Sequence, residues 1–415
     1  VLVAFGVQAQ EQGGALATFG LSFGGEYEFN DPDEDESSFT TGLSFDLNSV
    51  TRTQSFGLSA DGQFVFDETG FEFENPGVTL NYARANRSTA FDVGLSYSVR
   101  DVEGQFEVID PVTGIVTDLI DDDGTLESIR ANVGLETGRD APFGTETRFS
   151  YTERSYTETS DPDLDDLESW QIGTTLRFDV DPRISLRTSA SYRQTQEDDL
   201  FQTETRTTRF GIGGTFLVDP LWTASLDLAY SRFETEEDDL FGNRVLTEED
   251  GVGASLSVTR QFRDGTLGLA LAREVSDIGT EDSLRVFRNR ALANGGELAW
   301  SLGLVSFPSG DTRPIASASY AMPTPRGSFS VSLDQTTAVN NDDESVVRTS
   351  VALDYDQAIN EVSSWSLNGS LSSIDVIGDD TEDQSRAEIG MAYRHALTRD
   401  WDLSASLRHR ITYEN

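Results

Sequence analysis

The chain has 415 residues, a formal net charge of -43, no cysteine and a hydrophobic content of only 37%. This charge excludes nucleic acid as a partner, because a duplex would be repelled, and the lack of cysteine excludes disulfides, thiolate metal sites and lipoprotein acylation. No stretch approaches the roughly 18 apolar residues of a membrane-spanning helix. A membrane location would therefore require a closed β-barrel, which satisfies its backbone polar groups within the sheet.

The first residues, VLVAFGVQAQ, are typical of the end of a signal peptide. Val7-Gln8-Ala9 follows an apolar run and places small residues at the two positions that matter before a cleavage site. We therefore expect residues 1–9 to be a signal-peptide remnant whose charged start precedes this chain, and residues 10–415 to form one domain. The alternative is a stray apolar N-terminus.

Apolar and polar residues alternate along most of the remaining chain. The first predicted strand spans roughly Ala15 to Phe29, and the next two carry apolar residues from Phe39 to Leu47 and from Phe56 to Phe66. Alternation of period two predicts strands with one face in an apolar medium and the other in water. The mean hydropathy of -0.38 is low for a large core, but it suits a barrel with lipid outside and water inside. The predicted fold class is all-β, a single large antiparallel up-and-down transmembrane barrel.

One hairpin unit occurs twice between Phe178 and Phe241. The copies, FDVDPRISLRTSASYRQTQEDDLF and FLVDPLWTASLDLAYSRFETEEDDLF, share a Val-Asp-Pro turn, an alternating strand, a tyrosine and an acidic EDDLF end. A strand from Trp222 to Tyr230 rises about 26 Å. Tilted by about 40°, it covers about 20 Å along the normal, which matches the apolar band of a membrane barrel with aromatic ends.

Connections between the predicted strands alternate in character. One set is mostly long and acidic, for example Asp31–Glu36, Asp101–Glu127 and Glu234–Asp250, whereas the other is short, for example Asp181–Arg183 and Arg263–Gly265. Bacterial barrels of this kind have short periplasmic turns and longer outer loops. We therefore expect the short turns to be periplasmic and the acidic loops to be extracellular.

The strand count and the aromatic residues agree with this architecture. About 21 strands are predicted, whereas single-chain barrels have even numbers of strands. We therefore expect an intact barrel of about 22 strands whose closing strand is missing from this chain. The alternative is a miscount between Ser283 and Phe307, where alternation is weakest. Aromatic residues next to short turns would form a girdle at the headgroup level; they are Trp222, Trp365, Trp401, Phe178, Phe216 and Phe262.

This pattern resembles the porin-like outer-membrane β-barrel proteins of Gram-negative bacteria over nearly the whole chain. The resemblance is one of architecture, and no motif selects a specific family. It implies a bacterial outer-membrane location, with outer-membrane lipid and lipopolysaccharide as surroundings. The terminal aromatic residue that is usual in such barrels is absent, since the chain ends with TYEN.

All 30 basic residues are arginines. Several have the parity, odd or even position along a strand, of the polar residues that face the predicted lumen. Those away from most acids are the candidate pore lining for anionic or polar solutes, since charged side chains at a pore wall set selectivity: Arg148, Arg177 and Arg187. Those near the outer mouth are expected to tie the acidic loops to the wall: Arg100, Arg130, Arg154, Arg193 and Arg209. A hairpin predicted within Gln105–Asp123 either extends the wall outward or folds into the lumen.

Neither a metal centre nor catalysis is expected. The acidic loops at Asp31 and Asp161 lack the Gly and Glu of a calcium-binding loop, so we expect no cofactor and at most weak Ca²⁺ or Mg²⁺ binding there. The two histidines, His395 and His409, have lipid-side or turn-proximal parity, so no nucleophile and base are expected to meet at the lumen.

The leading functional hypothesis is a passive channel for small hydrophilic solutes, including anions, through a wide lumen. Because no plug segment precedes the first strand, an energy-coupled receptor is not expected. The second hypothesis is a structural or surface-interaction barrel, or an export port for a secreted polymer, with acidic outer loops that bind cations. The third is a soluble secreted protein of two packed sheets.

Overall fold

The computed structural model describes residues 2–8, 15–28, 36–66, 70–101, 105–109, 116–121, 124–159, 164–239, 241–339, 345–377, 384–398 and 401–414. Its 24 strands are β1 (Leu2–Gln8), β2 (Ala15–Glu28), β3 (Glu36–Val50), β4 (Gln54–Phe66), β5 (Phe71–Ala85), β6 (Thr89–Asp101), β7 (Gln105–Ile109), β8 (Val116–Asp121), β9 (Thr125–Thr137), β10 (Phe143–Thr157), β11 (Leu167–Asp181), β12 (Ile184–Glu197), β13 (Glu204–Leu217), β14 (Trp222–Asp238), β15 (Arg244–Phe262), β16 (Gly265–Ser276), β17 (Gly279–Ala291), β18 (Glu297–Ser306), β19 (Thr312–Thr324), β20 (Gly327–Val339), β21 (Ser345–Ala358), β22 (Ser363–Val376), β23 (Gln384–Ala396) and β24 (Trp401–Glu414). Within these ranges, no helix is long and apolar enough to cross a membrane.

One 22-stranded sheet contains every strand except β7 and β8. Strands that follow one another in the chain pair antiparallel, and β6 pairs directly with β9 across the long connection that holds β7 and β8. Predicted short turns fall between consecutive strands, as at Asp181–Arg183 between β11 and β12. The predicted all-β, up-and-down fold of a large barrel is confirmed.

The two ends of the sheet meet through β1. This strand pairs with β2 from Val3 to Gln8, and its residues Leu2–Phe5 pair with Trp401–Ser404 of β24. The contact joins the ends of the sheet only near the short turns. A strand thus occupies the position where the sequence predicted a missing one. It consists of residues that the sequence assigned to a signal-peptide remnant, an assignment that stays a prediction.

The two faces of the sheet differ as the alternation predicts. Trp222, Leu226 and Tyr230 share one face of β14 and are 37%, 42% and 43% exposed. On the other face, the hydroxyl of Ser225 lies 2.8 Å from that of Ser257 on β15. The exposed apolar face is the outside of the barrel, and the polar face lines the lumen.

The predicted loop Glu234–Asp250 is mostly strand, which corrects the sequence-based assignment. β14 and β15 remain paired as far as Asp238 and Arg244. β15 pairs with β16 only from Ala254 onward, so the β14–β15 hairpin extends beyond the neighbouring strand. Opposite charges lie side by side on this hairpin; the guanidinium of Arg232, for example, lies 3.0 Å from the carboxylate of Glu248. Arginines offset the repulsion among the acids, so an acidic composition does not prevent strand pairing here.

The sheet overlaps itself near the end that carries the long connections. The ladder between β19 and β20 stops at Ala318 and Leu333. Beyond it, the Ala316 N–H donates to the side-chain oxygen of Gln335 at 2.9 Å. Thr337 Oγ1, also on β20, donates to the Glu281 carboxylate of β17 at 3.1 Å. These side-chain bonds tie β20 to the inner surface of its neighbours after the ladder has ended.

A buried apolar cluster fills this overlap. Val305 and Ile315 point inward from β18 and β19. Val347 is on the outward side of β21, and Ile377 follows directly after β22. Together with Phe307 these residues form one cluster, with exposures from 1% to 6%. Side chains that point inward and side chains that point outward meet only if one layer lies inside the other. The ends of β20–β22 therefore lie inside β17–β19, and the wall is double there.

The double wall explains the weak alternation between Ser283 and Phe307. On β18, Leu302 and Leu304 are 59% and 49% exposed on the outside, yet Val305 on the other face is 1% exposed. At Val305 and Phe307 the inner face also contacts apolar surroundings, so alternation is lost at this end of the segment.

The predicted hairpin within Gln105–Asp123 is present as β7 and β8, which pair with each other and not with the main sheet. β8 lies against β21 and β23, which are distant from β6 and β9 in strand order. Of the two alternatives, the hairpin therefore folds inward across the mouth. β21 and β22 carry an inward apolar cluster here, with Val346 at 0% and Ile374 at 3% exposure.

Candidate functional site

Four arginines lie on the lumen face of β21, β23 and β24 away from the short turns, and we call them the basic wall: Arg348, Arg386, Arg408 and Arg410. A fifth, Arg394, pairs with Asp402 near the short turns. Strand register places Arg410 across from Glu388 and Arg408 across from Gly390. The Glu388 carboxylate lies 3.8 Å from the guanidinium of Arg386, 3.3 Å from that of Arg408 and 3.4 Å from that of Arg410. Among the described side chains, Glu388 is the only carboxylate within 4 Å of Arg408 and Arg410. Arg408 and Arg410 therefore share one described carboxylate, which leaves an excess of positive charge at this pair.

Exposure differs among the cations of the basic wall: Arg408 is accessible, Arg410 is 34% exposed, and Arg386, at 14%, is as covered as the acid. The side chain of Arg408 is 68% exposed, whereas that of Glu388 is 17% exposed. Arg348 donates to the hydroxyl of Ser372 at 3.2 Å and so stays near the same inner surface. Guanidinium groups bind carboxylates and phosphates through paired N–H donors. β8 lies against β23, which brings the inward hairpin beside the basic wall.

Each of the predicted pore-lining arginines has a carboxylate beside it. Arg148 lies 2.6 Å from Glu146, and Arg177 lies 3.2 Å from Asp179 while it donates to two carbonyls of the β9–β10 turn at 3.1 Å. Arg187 forms a two-point ion pair with Asp227. The carboxylates offset these charges, so the three positions contribute less net charge to the lumen than parity alone predicts. Their role in a pore stays a prediction.

The outer-mouth arginines have several surroundings. Arg154 is 9% exposed and lines a cavity of about 370 Å³, together with Glu204 and Arg244. Arg193 donates to the side chain of Gln171 at 2.5 Å. The remaining three are exposed: Arg100, Arg130 and Arg209. The predicted ties to acidic loops at 31–35 and 160–163 concern residues outside the described ranges.

Sequence reasoning missed the basic wall. Parity does place Arg386, Arg408 and Arg410 on the lumen side, and that signal is present in the sequence. Their meeting at Glu388 depends on the register of β23 against β24, however, and on the position of β8. Both are decided by contacts between distant parts of the chain.

The acidic side chains and the histidines are the potential metal ligands and catalytic bases of this chain. Where the structure describes the chain, no group of three or more acidic or histidine side chains is arranged to hold a metal ion; the loops at Asp31 and Asp161 lie outside the described residues. Nδ1 of His395 lies 2.7 Å from the hydroxyl of Ser363. Ser363 is only 6% exposed, so this pair fixes the short-turn end of β22 and β23 and is not open to a substrate.

No protein family and no curated protein matches this sequence, but solved structures share its fold. The ferric-catecholate import receptor Fiu from E. coli K12 has a TM-score of 0.59 at 10% identity, over 98% of this chain and 82% of the receptor. The outer-membrane alcaligin receptor FauA from Bordetella pertussis has a TM-score of 0.55 at 12% identity, over 96% and 75%. For the copper transporter OprC the TM-score is 0.57 at 11% identity, over 97% and 74%.

The likeness confirms the resemblance to outer-membrane β-barrel proteins at the level of architecture. At these identities it shows the fold alone. By their names, all three neighbours are receptors or transporters.

Proposed function

We propose that this protein is an outer-membrane transport barrel that passes small hydrophilic anions past the basic wall. The observation that carries the proposal is the group of three arginines around Glu388. The chain as a whole has a net charge of -43, so a lumen patch of the opposite sign is a local feature. A charged pore wall selects ions of opposite charge at close range.

The membrane location is supported by the outer face of the sheet. Large apolar side chains are exposed there on strands far apart in the sheet, for example Phe19 at 54%, Phe210 at 58% and Leu302 at 59%. In water such a surface would associate with other apolar surfaces, whereas in a bilayer it contacts lipid. The proposal places the short turns in the periplasm and the acidic connections outside, as short and long connections are placed in bacterial barrels.

The inward hairpin favours restricted passage over a wide open pore. A barrel of about 22 strands has a lumen that is either aqueous or occupied by a plug. Here β8 reaches the opposite wall, and the overlap of β20–β22 inside β17–β19 takes up further space. A solute that enters from the acidic side would therefore pass between the hairpin and the basic wall.

The test is a reversal-potential measurement in planar bilayers under a salt gradient. We expect Arg408→Gln with Arg410→Gln to lower the anion-to-cation permeability ratio more than Arg148→Ser, Arg177→Ser and Arg187→Ser combined. Each of the latter three has a carboxylate of its own, whereas Arg408 and Arg410 share Glu388. An unchanged ratio in the first variant would remove the basic wall from the proposal. Persistent absence of openings in the unmodified protein would favour the surface-interaction or export barrel.

A further inference from the structure

A row of arginines and aromatic rings crosses the outside of the barrel near the short turns. Strand register aligns Trp222 of β14, Arg260 of β15, Leu267 of β16, Arg288 of β17 and Trp300 of β18 as successive neighbours. Trp222 and Leu267 are each 37% exposed, so this row belongs to the outer face. Arginines here differ in kind from those of the basic wall, which face the lumen.

Two guanidinium groups of this row meet at one aromatic ring. The Arg260 guanidinium lies 4.9 Å from the ring centre of Phe262 and 5.4 Å from that of Trp222. The Arg288 guanidinium lies 4.5 Å from the Phe262 ring centre. Aromatic faces attract cations and fix their position, but they do not neutralise their charge. Phe262 thus holds close together two cations that lie on either side of Leu267 in strand register.

The nearby carboxylate pairs with Arg288 and Arg290 and not with Arg260. Asp264, in the β15–β16 turn, lies 2.9 Å from Arg288 and 2.7 Å from Arg290. The structure gives Arg260 ring contacts and, in the described part of the chain, no acidic partner. Three arginines and one aspartate leave an excess of positive charge on a surface that is otherwise apolar.

We infer that Arg260 and Arg288 bind the phosphate group of a membrane phospholipid. A guanidinium on a lipid-facing surface is costly unless it reaches the headgroup level and finds a counter-charge, and phosphate accepts paired N–H donors from arginine. The two arginines lie on strands about 10 Å apart, with one strand between them, so one headgroup placed over Leu267 is within reach of both long side chains. Trp222 and Trp300 flank the position, as interfacial aromatic residues do.

The inference rests on the membrane location proposed above, and it is tested by native mass spectrometry in neutral detergent. Three proteins are compared: the unmodified chain, Arg260→Gln with Arg288→Gln, and the control Arg285→Gln, which removes the same type of charge from the lumen face of β17. Each is titrated with dioleoylphosphatidylglycerol, with dioleoylglycerol, which lacks the phosphate, and with inorganic phosphate. We expect the double variant to bind phosphatidylglycerol about tenfold more weakly, because it loses charge-assisted hydrogen bonds. The control should bind like the unmodified chain, and dioleoylglycerol should not distinguish the three proteins.

Equal binding of phosphatidylglycerol by all three proteins would overturn the assignment. Inorganic phosphate that binds as tightly as the lipid would overturn the membrane source and leave a site for free anions. Flotation of each protein with phospholipid vesicles separates the two proposals. If none of the three floats, the membrane location is wrong. If all three float and bind lipid equally, only the phosphate site is wrong.

Discussion

Substitutions in the overlap of β17–β19 with β20–β22 test the double wall directly. Ile315 is 3% exposed and Val347 is 6% exposed, and they belong to one cluster although they come from opposite sides of the overlap. Ile315→Ala removes about three methylene equivalents, or about 2.4 kcal/mol at about 0.8 kcal/mol each. The cavity left behind raises the expected loss to about 3–4 kcal/mol. Val347→Ala removes two, and we expect a loss of about 2–3 kcal/mol.

The coupling between these positions is more informative than either loss. Because both side chains fill the same buried space, we expect the double variant to deviate from additivity by about 0.5–3 kcal/mol. Equilibrium unfolding in guanidinium, with the protein in phospholipid vesicles and tryptophan fluorescence as the signal, gives all the free energies needed. Leu304→Ala is the matched control, because Leu304 lies next to Val305 but is 49% exposed on the outer face. Its loss should be at most about 1 kcal/mol and additive with Val347→Ala.

One pattern of results would refute the overlap. If Ile315→Ala and Val347→Ala each cost no more than Leu304→Ala, and their effects add within about 0.5 kcal/mol, the two residues do not share a buried cluster. β20–β22 would then continue the single wall, and the weak alternation before Phe307 would need another explanation.

Three further predictions follow from local geometry. Replacing residues 105–121 by a short Gly-Ser linker should raise single-channel conductance, because β8 reaches the opposite wall, whereas shortening the β14–β15 tip at 239–243 should not; equal conductance would show that the hairpin does not obstruct the pore. A β-carbon at Gly268 would overlap the Phe287 ring, whereas one at Gly369 would meet its nearest neighbour at 3.9 Å. Gly268→Ala should therefore lower the free energy of guanidinium unfolding by about 1–3 kcal/mol, and Gly369→Ala should lower it by less. A larger loss for Gly369→Ala would contradict the packing at Gly268. Hydrogen bonds from Asn243 hold the pKa of Asp239 below its usual range. They therefore stabilise the turn at pH values above the ordinary aspartate pKa, and this stabilisation is lost as the pH falls through the lowered pKa. Asn243→Ala should raise the pKa of Asp239 in a carboxyl NMR titration, and an unchanged pKa would exclude the Asn243 side-chain amide as the cause.

The structure corrects one sequence-based expectation and gives a predicted pore residue a partner that the sequence does not show. Glu234–Asp250 looked like a loop because acids dominate it, but arginines opposite them allow β14 and β15 to continue. Parity alone selected Arg187 as a pore cation, but it does not reveal Asp227 on β14, which pairs with it across Gly213 of the intervening strand.

The amino-acid sequence by itself determined the fold class, the two faces of the sheet and the positions of the short turns. Each of these follows from neighbours along the chain, because alternation of period two and turn residues act within a few positions. Only the tertiary structure decided that the β7–β8 hairpin folds inward, that β20–β22 lie inside β17–β19, and that three arginines meet at Glu388. Those contacts join residues that are distant in the chain, such as Glu281 and Thr337, and no local period encodes them.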